Sequence, residues 1–494
     1  MASPESSLVL FEMFEAHARA APQRTLVRAQ GAGLTMNAAA LLERARDTAA
    51  ELKREGVAEG DVVMLAGLSG CQLTVAQLAV WARGASLIAA EAQLSGPEVL
   101  DLRRAFSPRA VLGPGQGIAP RIVSDAGPTA GGAITADGVA VIKLTSGSTG
   151  RPRGIATTAA QLLADARHIA EGMGITRDDV CIAAIPLSHS YGMANILMQL
   201  VSQGSPILFV PSPLPDLLAE ALSIEEPAVF AGVPYMFEMM GREGSPTIRR
   251  RGLRTCLSAA APLRPATAAA FRERVGLPIR SFYGTSETGG ITYDSSPDGE
   301  MSIASDGCVG TPLPGVRVTL EGDEGRVVVS SSAVSSGYVG APAEADGAPR
   351  EGGEFTGTAF RTGDTGRFDE HGRLQLTGRI SALVNVSGRK VNPREVERSL
   401  ASLPGICDAA VLGVSDGVRG ESLVAFVSAG PGLTRERVIG HLRDGLAPYK
   451  IPRRVVFLSE FPRGPRGKLD HETLRRLASE FGAREKPEET DDAQ

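Results

Sequence analysis

The chain predicts an α/β fold: a large N-terminal domain of parallel-rich sheets with helices, then a small α+β C-terminal domain. Three observations carry this. Over residues 37–83 a helical stripe, a short apolar run and a second helical stretch follow one another, the alternation that βαβ units produce. "VAVIK" (139–143) is another short β-branched run, followed by a Ser/Thr/Gly-rich segment and by helical periodicity from Ala159 to Met173. Beyond Arg379 the pattern changes to strand, strand, helix and strand, the signature of a separate small module.

Taken in order, Leu8–Ala18 reads as an amphipathic helix that Pro22 stops. Asn37–Gly56 is a longer helix, with Leu41, Ala45, Ala49 and Leu52 on one stripe and Gly56 near its end. "GDVVMLAG" (60–67) is a buried strand, Leu73–Arg83 a helix, and the Gly/Pro/Ala-rich stretch 113–138 a surface connection. In "LTSGSTGRPRG" (144–154), glycines let backbone N–H groups converge and hydroxyls add compact donors. Such a turn between a strand and a helix capped by Thr158 suits phosphate, and the same composition also makes an ordinary Ser/Gly loop. It is not a Walker A loop, since Gly-x4-Gly-Lys-[Ser/Thr] is absent.

Further along, "IPLSHSYGMANI" (185–196) holds His189, which on its own residues reads as capping a turn after Pro186. Met236, Met239 and Met240 in "VFAGVPYMFEMM" recur at helical spacing and read as core. In "SFYGTSETG" (281–289), Tyr283 offers a flat face and Gly284 open space. Glu287 is either a solvated loop carboxylate or the oxygen ligand that Mg²⁺ prefers. Thr362-Gly363-Asp364 places a carboxylate after a tight turn, and Phe368, "DEHG", Leu374 and Leu376 form a hairpin that leads to Arg379. Asn392, Pro393 and Glu395 are an N-cap, a first-turn proline and a capping-box partner, ahead of Val396, Leu400 and Leu403 on a buried face. Strands at 409–414 and 422–428, a helix over Arg435–Leu446 and a strand over Arg454–Leu458 complete the module, and residues 481–494 form a charged, disordered tail.

Composition narrows the class. Lys plus Arg number 51 against 56 Asp plus Glu, a net charge of −5 that gives no reason to expect nucleic-acid binding. Cys71, Cys181, Cys256, Cys308 and Cys407 form no Cys-x-x-Cys pair, and the six histidines avoid metal-ligand spacing. No basic stretch precedes an apolar N-terminal core, and no apolar run reaches membrane-spanning length. The expectation is a cytoplasmic protein in a reducing compartment.

In this order and spacing, "LTSGSTGRPRG", "SFYGTSETG", "RTGD" and "PRGKLD" resemble the acyl-adenylate-forming superfamily, which includes acyl-CoA synthetases, nonribosomal-peptide adenylation domains and luciferases. The resemblance runs from about Leu8 to Arg476. It implies ATP, Mg²⁺ and CoA as cofactors and cosubstrates. Thr145, Ser146, Gly147, Ser148, Thr149, Gly150 and Arg153 would hold the departing pyrophosphate, with Arg153 standing where relatives carry lysine. Ala260 (in a turn where relatives have glycines), Tyr283, Gly284 and Thr285 would receive the adenosine, and Asp364 and Arg379 the ribose and phosphates. Ser286 would donate to the α-phosphate and Glu287 would hold Mg²⁺. His189, Val233 and Gly289 would line the acid's pocket, and Ser387 and Gly388 the thiol tunnel. Ser381 takes the hinge position, usually Asp or Lys, between domains 1–380 and 381–480, and Lys468 that of the adenylation lysine.

Amino-acid-activating relatives place an aspartate in the stretch matching 186–196; its absence points to a carboxylic acid without an α-amino group. The implied reaction makes an acyl-AMP and then a thioester with CoA. The alternative acceptor is the phosphopantetheine arm of an acyl carrier protein. A reading of another class, an inactive nucleotide-binding module, is motivated by Arg153, Ser381 and Ala259-Ala260.

Overall fold

The computed structural model describes residues 6–92, 94–123, 138–145, 153–296, 299–300, 307–322, 325–340, 353–379, 384–391, 393–415, 421–430, 432–462 and 473–478. The chain divides into two compact units, Met1–Ser381 and Ala382–Gln494.

The larger unit holds two mixed sheets. In the seven-stranded sheet, Val139–Thr145, Ser86–Ala89, Val62–Leu65 and Ala110–Pro114 run parallel, and antiparallel strands close both ends. In the fourteen-stranded sheet, Thr25–Ala29, Ile207–Phe209, Val180–Ala183, Ala228–Gly232, Leu253–Ser258 and Ile279–Thr285 form a parallel run. At Ile279–Thr285 the direction reverses: the next strand, Gly289–Tyr293, is antiparallel, as are those beyond it. The last parallel strand of the sheet therefore ends in a hairpin rather than a crossover.

The helices follow the periodicity. Asn37 caps Ala38–Arg54 by accepting from Ala40 N, and Leu41, Ala45, Ala49 and Leu52 are buried. Helix Ala159–Met173 spans the expected residues, with Thr158 and Gln161 in a reciprocal capping box and Gly174 in the left-handed region at its end. Such a cap stabilises by roughly 1 kcal/mol. Helix Gly70–Trp81 is buried almost throughout because it lies inside the core, and its Trp81 Nε1 donates to Ala140 O at 3.1 Å.

Three expectations are corrected. The Ser/Gly loop does not lead directly into a helix: Arg153–Thr158 is a strand antiparallel to Val139–Thr145, with Thr145 opposite Arg153. The loop thus joins a hairpin, and the helix begins one strand later; residues 146–152, including Ser146–Gly150, lie outside the described residues. The stretch 113–138 is not wholly a connection, because Pro120–Ile122 pairs with Ala110–Pro114; residues 124–137 lie outside the described residues. Asp364 does not follow a tight turn but sits within strand Ala359–Phe368, whose partner is Leu374–Arg379.

In the smaller unit, strands Val384–Val386 and Arg389–Val391 are joined by Ser387 (φ 51°) and Gly388 (φ 85°), a two-residue turn left-handed at both positions. Helix Pro393–Ala401 packs Val396 and Leu400, with Leu403, against Val411, Leu423, Val438 and Leu442. Strands Ile406–Ser415, Glu421–Ala429 and Arg454–Phe457 form one sheet, and helix Arg435–Gly445 lies between the last two in sequence. The Glu395 carboxylate takes Lys450 Nζ at 2.8 Å, so an ion pair engages the expected capping-box partner; Asn392 lies outside the described residues. Ser381, Lys468 and the tail 481–494 also lie outside them. No described helix is long and apolar enough to cross a membrane.

Candidate active site

The reversal at Ile279–Thr285 gathers Tyr283, Gly284, Thr285, Ser286, Glu287, Gly289 and Asp364. Along this strand, Phe282 turns into the core and stacks on Tyr191 with ring centroids 5.8 Å apart. Its neighbour Tyr283 faces the other side, where its Oη donates to Asp364 Oδ2 at 2.7 Å. Asp364 is buried and stands directly opposite Arg379 in the strand pairing. Two residues 81 positions apart in the chain thus meet, beside the strand position of Arg379.

The turn after Thr285 is stapled by reciprocal bonds. Thr285 N donates to Thr288 Oγ1 at 3.4 Å, and Thr288 N to Thr285 Oγ1 at 3.3 Å. Ser286 and Glu287 are held between them. Ser190 Oγ donates to Ser286 Oγ at 2.9 Å. Glu287 is only 8% exposed, and its Oε1 accepts from Tyr338 Oη at 3.0 Å. The Arg153 guanidinium lies over the Tyr338 ring, 3.6 Å from its centroid. One phenol therefore links the cation beside the Ser/Gly loop to the turn's carboxylate.

Two glycines of the motif have structural reasons to be glycine. A Cβ on Gly284 would stand 2.5 Å from Gly289 O, so the hairpin backbone already fills that space. Gly289, expected to line the acid's pocket, is buried at φ 70°, and a Cβ there would strike the Asp165 carboxyl.

On the other flank, His189 N donates to Pro186 O at 3.3 Å, the turn its residues suggest, and His189 stands at the N-cap of Ser190–Gly192 without a side-chain cap. Its Nε2 lies 3.2 Å from Glu91 Oε1. A stretch with no acid of its own therefore receives one from the far end of strand Ser86–Ala89. The following helix carries a π-helical segment, Met193–Leu197, before Met198–Gln203. Such widened turns are frequent at functional sites. Tyr191 Oη donates to Gly232 O and Leu257 O, each at 3.3 Å, and burial pushes its phenol far up, keeping it a neutral donor. Val233 is the half-buried N-cap of helix Pro234–Gly241, whose Met236 and Met240 are buried in the core with Met239 packed against it. Ala260 is exposed and holds the left-handed conformation, φ 70°.

The donor set can be tested against a metal. Among the described residues no group of three or more His, Cys, Asp or Glu could hold an ion. One buried, oriented carboxylate, Glu287, fits Mg²⁺, which takes one or two protein carboxylates and completes its shell with phosphate and water oxygens. Sequence reasoning passed over Ser190, Glu91 and Tyr338, which reach the site from 96, 98 and 51 residues away (286 − 190, 189 − 91 and 338 − 287).

Comparison with known proteins identifies the family. Residues 14–339 match the AMP-binding enzyme family and residues 395–468 the AMP-binding enzyme C-terminal domain. A 2-succinylbenzoate–CoA ligase from Bacillus cereus is 31% identical over 349 residues, 68% of this chain and 70% of that protein. Among solved structures, an amide bond synthetase, McbA from Marinactinospora thermotolerans, superposes with a TM-score of 0.77 at 26% identity, covering 94% of this chain and 99% of that one. A double mutant of o-succinylbenzoate CoA synthetase from Bacillus subtilis, bound to a product analogue, gives 0.79 at 23% identity over 94% and 98%, a likeness of fold. The chain belongs to the AMP-binding enzyme family, as an AMP-forming acid–thiol ligase of the acyl-CoA synthetase type.

Proposed function

We propose that this ligase activates a carboxylic acid lacking an α-amino group, aromatic acids first among the candidates, and transfers the acyl group to CoA. The observation that carries the reading is the single turn that presents Ser286 and the buried Glu287 beside the Tyr283–Asp364 pair. The likeness to a 2-succinylbenzoate–CoA ligase supports the aromatic acid. Glu91 does not weaken it, since His189 already faces that carboxylate.

The acid's carboxylate oxygen attacks the α-phosphorus, and pyrophosphate leaves. Charge builds on phosphoryl oxygens, so the site needs fixed donors and cations more than an acid or base. Tyr283 and Asp364 orient the adenosine, Arg379 faces ribose and phosphates, and Ser286 donates to the α-phosphate. Held at Glu287, Mg²⁺ supplies charge neutralisation to the phosphates. Residues 145–150 and Arg153 hold the pyrophosphate. Lys468 bridges carboxylate and α-phosphate, and rotation about Ser381 then withdraws it while Ser387 and Gly388 shape the thiol's path; the sequence context "PRGKLD" supports the lysine's role. The thiol attacks the acyl carbon, and AMP leaves.

Carboxylate-dependent ATP–pyrophosphate exchange over aromatic and aliphatic acids tests the reading, and aromatic acids should give the highest rates. No exchange with any acid would leave only a nucleotide-binding module. Acceptor assays with CoA, a holo-carrier protein and simple amines follow; the amine arm is motivated by the likeness to an amide bond synthetase. Lys468→Ala should lower exchange by roughly 10²–10³ while sparing thiolation of a supplied acyl-adenylate. Equal loss of both half-reactions would remove Lys468 from its role.

A further inference from the structure

Two ionisable side chains that the mechanism does not use lie directly beneath the Ser286–Gly290 turn. Lys143 sits in strand Val139–Thr145 on the same face as Val141, a core position, and is 8% exposed. Its Nζ donates to Ser286 O at 3.0 Å. Asp165, 4% exposed, projects from helix Ala159–Met173, and its Oδ1 accepts from Gly290 N at 2.8 Å. Gly289, left-handed at φ 70°, has no side chain to come between this carboxyl and the hairpin. The two residues thus grip opposite ends of a short segment with Glu287 between them.

Their charges act on one another. Burial pushes Lys143 down, and the nearby Asp165 and Glu287 charges oppose that fall. Burial pushes Asp165 up, and Lys143 and the Gly290 N–H oppose that rise. Two buried opposite charges are seldom more stabilising than apolar residues of the same volume, so stability alone gives poor reason for a lysine among Val139, Val141 and Ile142. What the pair does provide is direction. A carbonyl fixed by an ammonium and an N–H fixed by a carboxylate allow the turn between them little freedom.

We propose that Lys143 and Asp165 are positioning residues that hold the Ser286–Gly290 turn in register, so that the Ser286 hydroxyl and the Glu287 carboxylate meet the Mg·ATP phosphates. This rests on the nucleotide reading given above. Neither residue touches the reacting atoms. They act as outer-shell partners of metal ligands do, whose loss costs roughly 10- to 100-fold.

The test compares Lys143→Met, Asp165→Asn and the double variant. Asparagine keeps an acceptor for Gly290 N–H and removes the charge. Three readouts are taken on the full chain: melting temperature without ligand, calorimetric affinity for Mg·ATP, and kcat and KM in the exchange assay. Lys143→Met is expected to weaken Mg·ATP binding and lower kcat by roughly 10- to 100-fold, leaving the acid's KM unchanged. The double variant should regain melting temperature relative to Lys143→Met, since the Asp165 charge no longer lies buried without the ammonium, but not regain Mg·ATP affinity or kcat. It also carries the test if the single variant does not fold. Recovery of affinity and kcat in the double variant, or loss of melting temperature alone in Lys143→Met, would overturn the proposal. Failure of the unaltered protein to bind Mg·ATP would instead overturn the nucleotide reading itself.

Discussion

Two turns leave the large sheet from neighbouring parallel strands, one after Ser258 and one after Thr285, and they meet similar demands with different residues. After Thr285 the motif keeps its glycines, and each is hemmed in. Gly284 faces the Gly289 carbonyl, Gly289 the Asp165 carboxyl, and Gly290 the side chains of Leu313 and Phe282. After Ser258 two alanines stand where relatives carry glycines. Ala259 is buried, while Ala260 is exposed and takes a left-handed backbone that an L-residue adopts at a cost of roughly 1–2 kcal/mol. The difference is steric. Where neighbours fill the space around a Cα, only glycine fits; where the Cβ points outward, alanine survives with local strain.

The largest effect expected from this contrast belongs to the hairpin's charge. Glu287→Gln preserves shape and an acceptor for Tyr338 Oη but removes the negative charge that a metal needs. Exchange activity should fall by roughly 10²–10³ with little change in melting temperature. Retained activity would mean that the turn positions backbone only. Next comes Gly284→Ala, which drives a methyl toward Gly289 O and should destabilise by roughly 1–3 kcal/mol in chemical denaturation. A neutral result would show that the hairpin opens easily, erasing the contrast between the turns. Ala260→Gly should go the other way. Relief of the left-handed strain, less glycine's added chain entropy, leaves a gain of about 0.5–1 kcal/mol, read by the same method.

Local and distant information separate cleanly in this molecule. Helix Ala159–Met173 was legible to the residue because its cap and its stripe are both local in the chain. The buried stripe of Ala38–Arg54 and the methionine core of Pro234–Gly241 were legible for the same reason. Strand Arg153–Thr158 was missed because it falls between a loop and a helix that read as consecutive, and its partner strand alone reveals it. Tyr283, Asp364 and Glu287 were legible through motif resemblance. The partners of the turn were not: Ser190 and Lys143 bond to Ser286 and Tyr338 bonds to Glu287, pairings that no local pattern encodes. The close approach of Asp165 to Gly289 likewise has no signal in the motif itself. The π-helical segment had no signal in residue spacing.

The smallest expected effect concerns the cation beside the hairpin. Arg153, which by resemblance stands where related enzymes carry lysine, places its guanidinium over Tyr338, whose hydroxyl in turn reaches Glu287. Arg153→Lys keeps one positive charge while losing the planar stack, so about 0.5–1 kcal/mol of cation–π attraction should be lost or reduced. If the arginine's main service is to steady Tyr338, the lysine variant will show a small fall in melting temperature and a KM for ATP within a few-fold of the original. Arg153→Met, which removes the charge as well, should then raise the ATP KM further. Should lysine alone raise that KM more than tenfold, the guanidinium fork itself must contact the phosphates. In that case the carboxylate of the hairpin and the cation of the loop act on the nucleotide directly, and Tyr338 is a bystander between them.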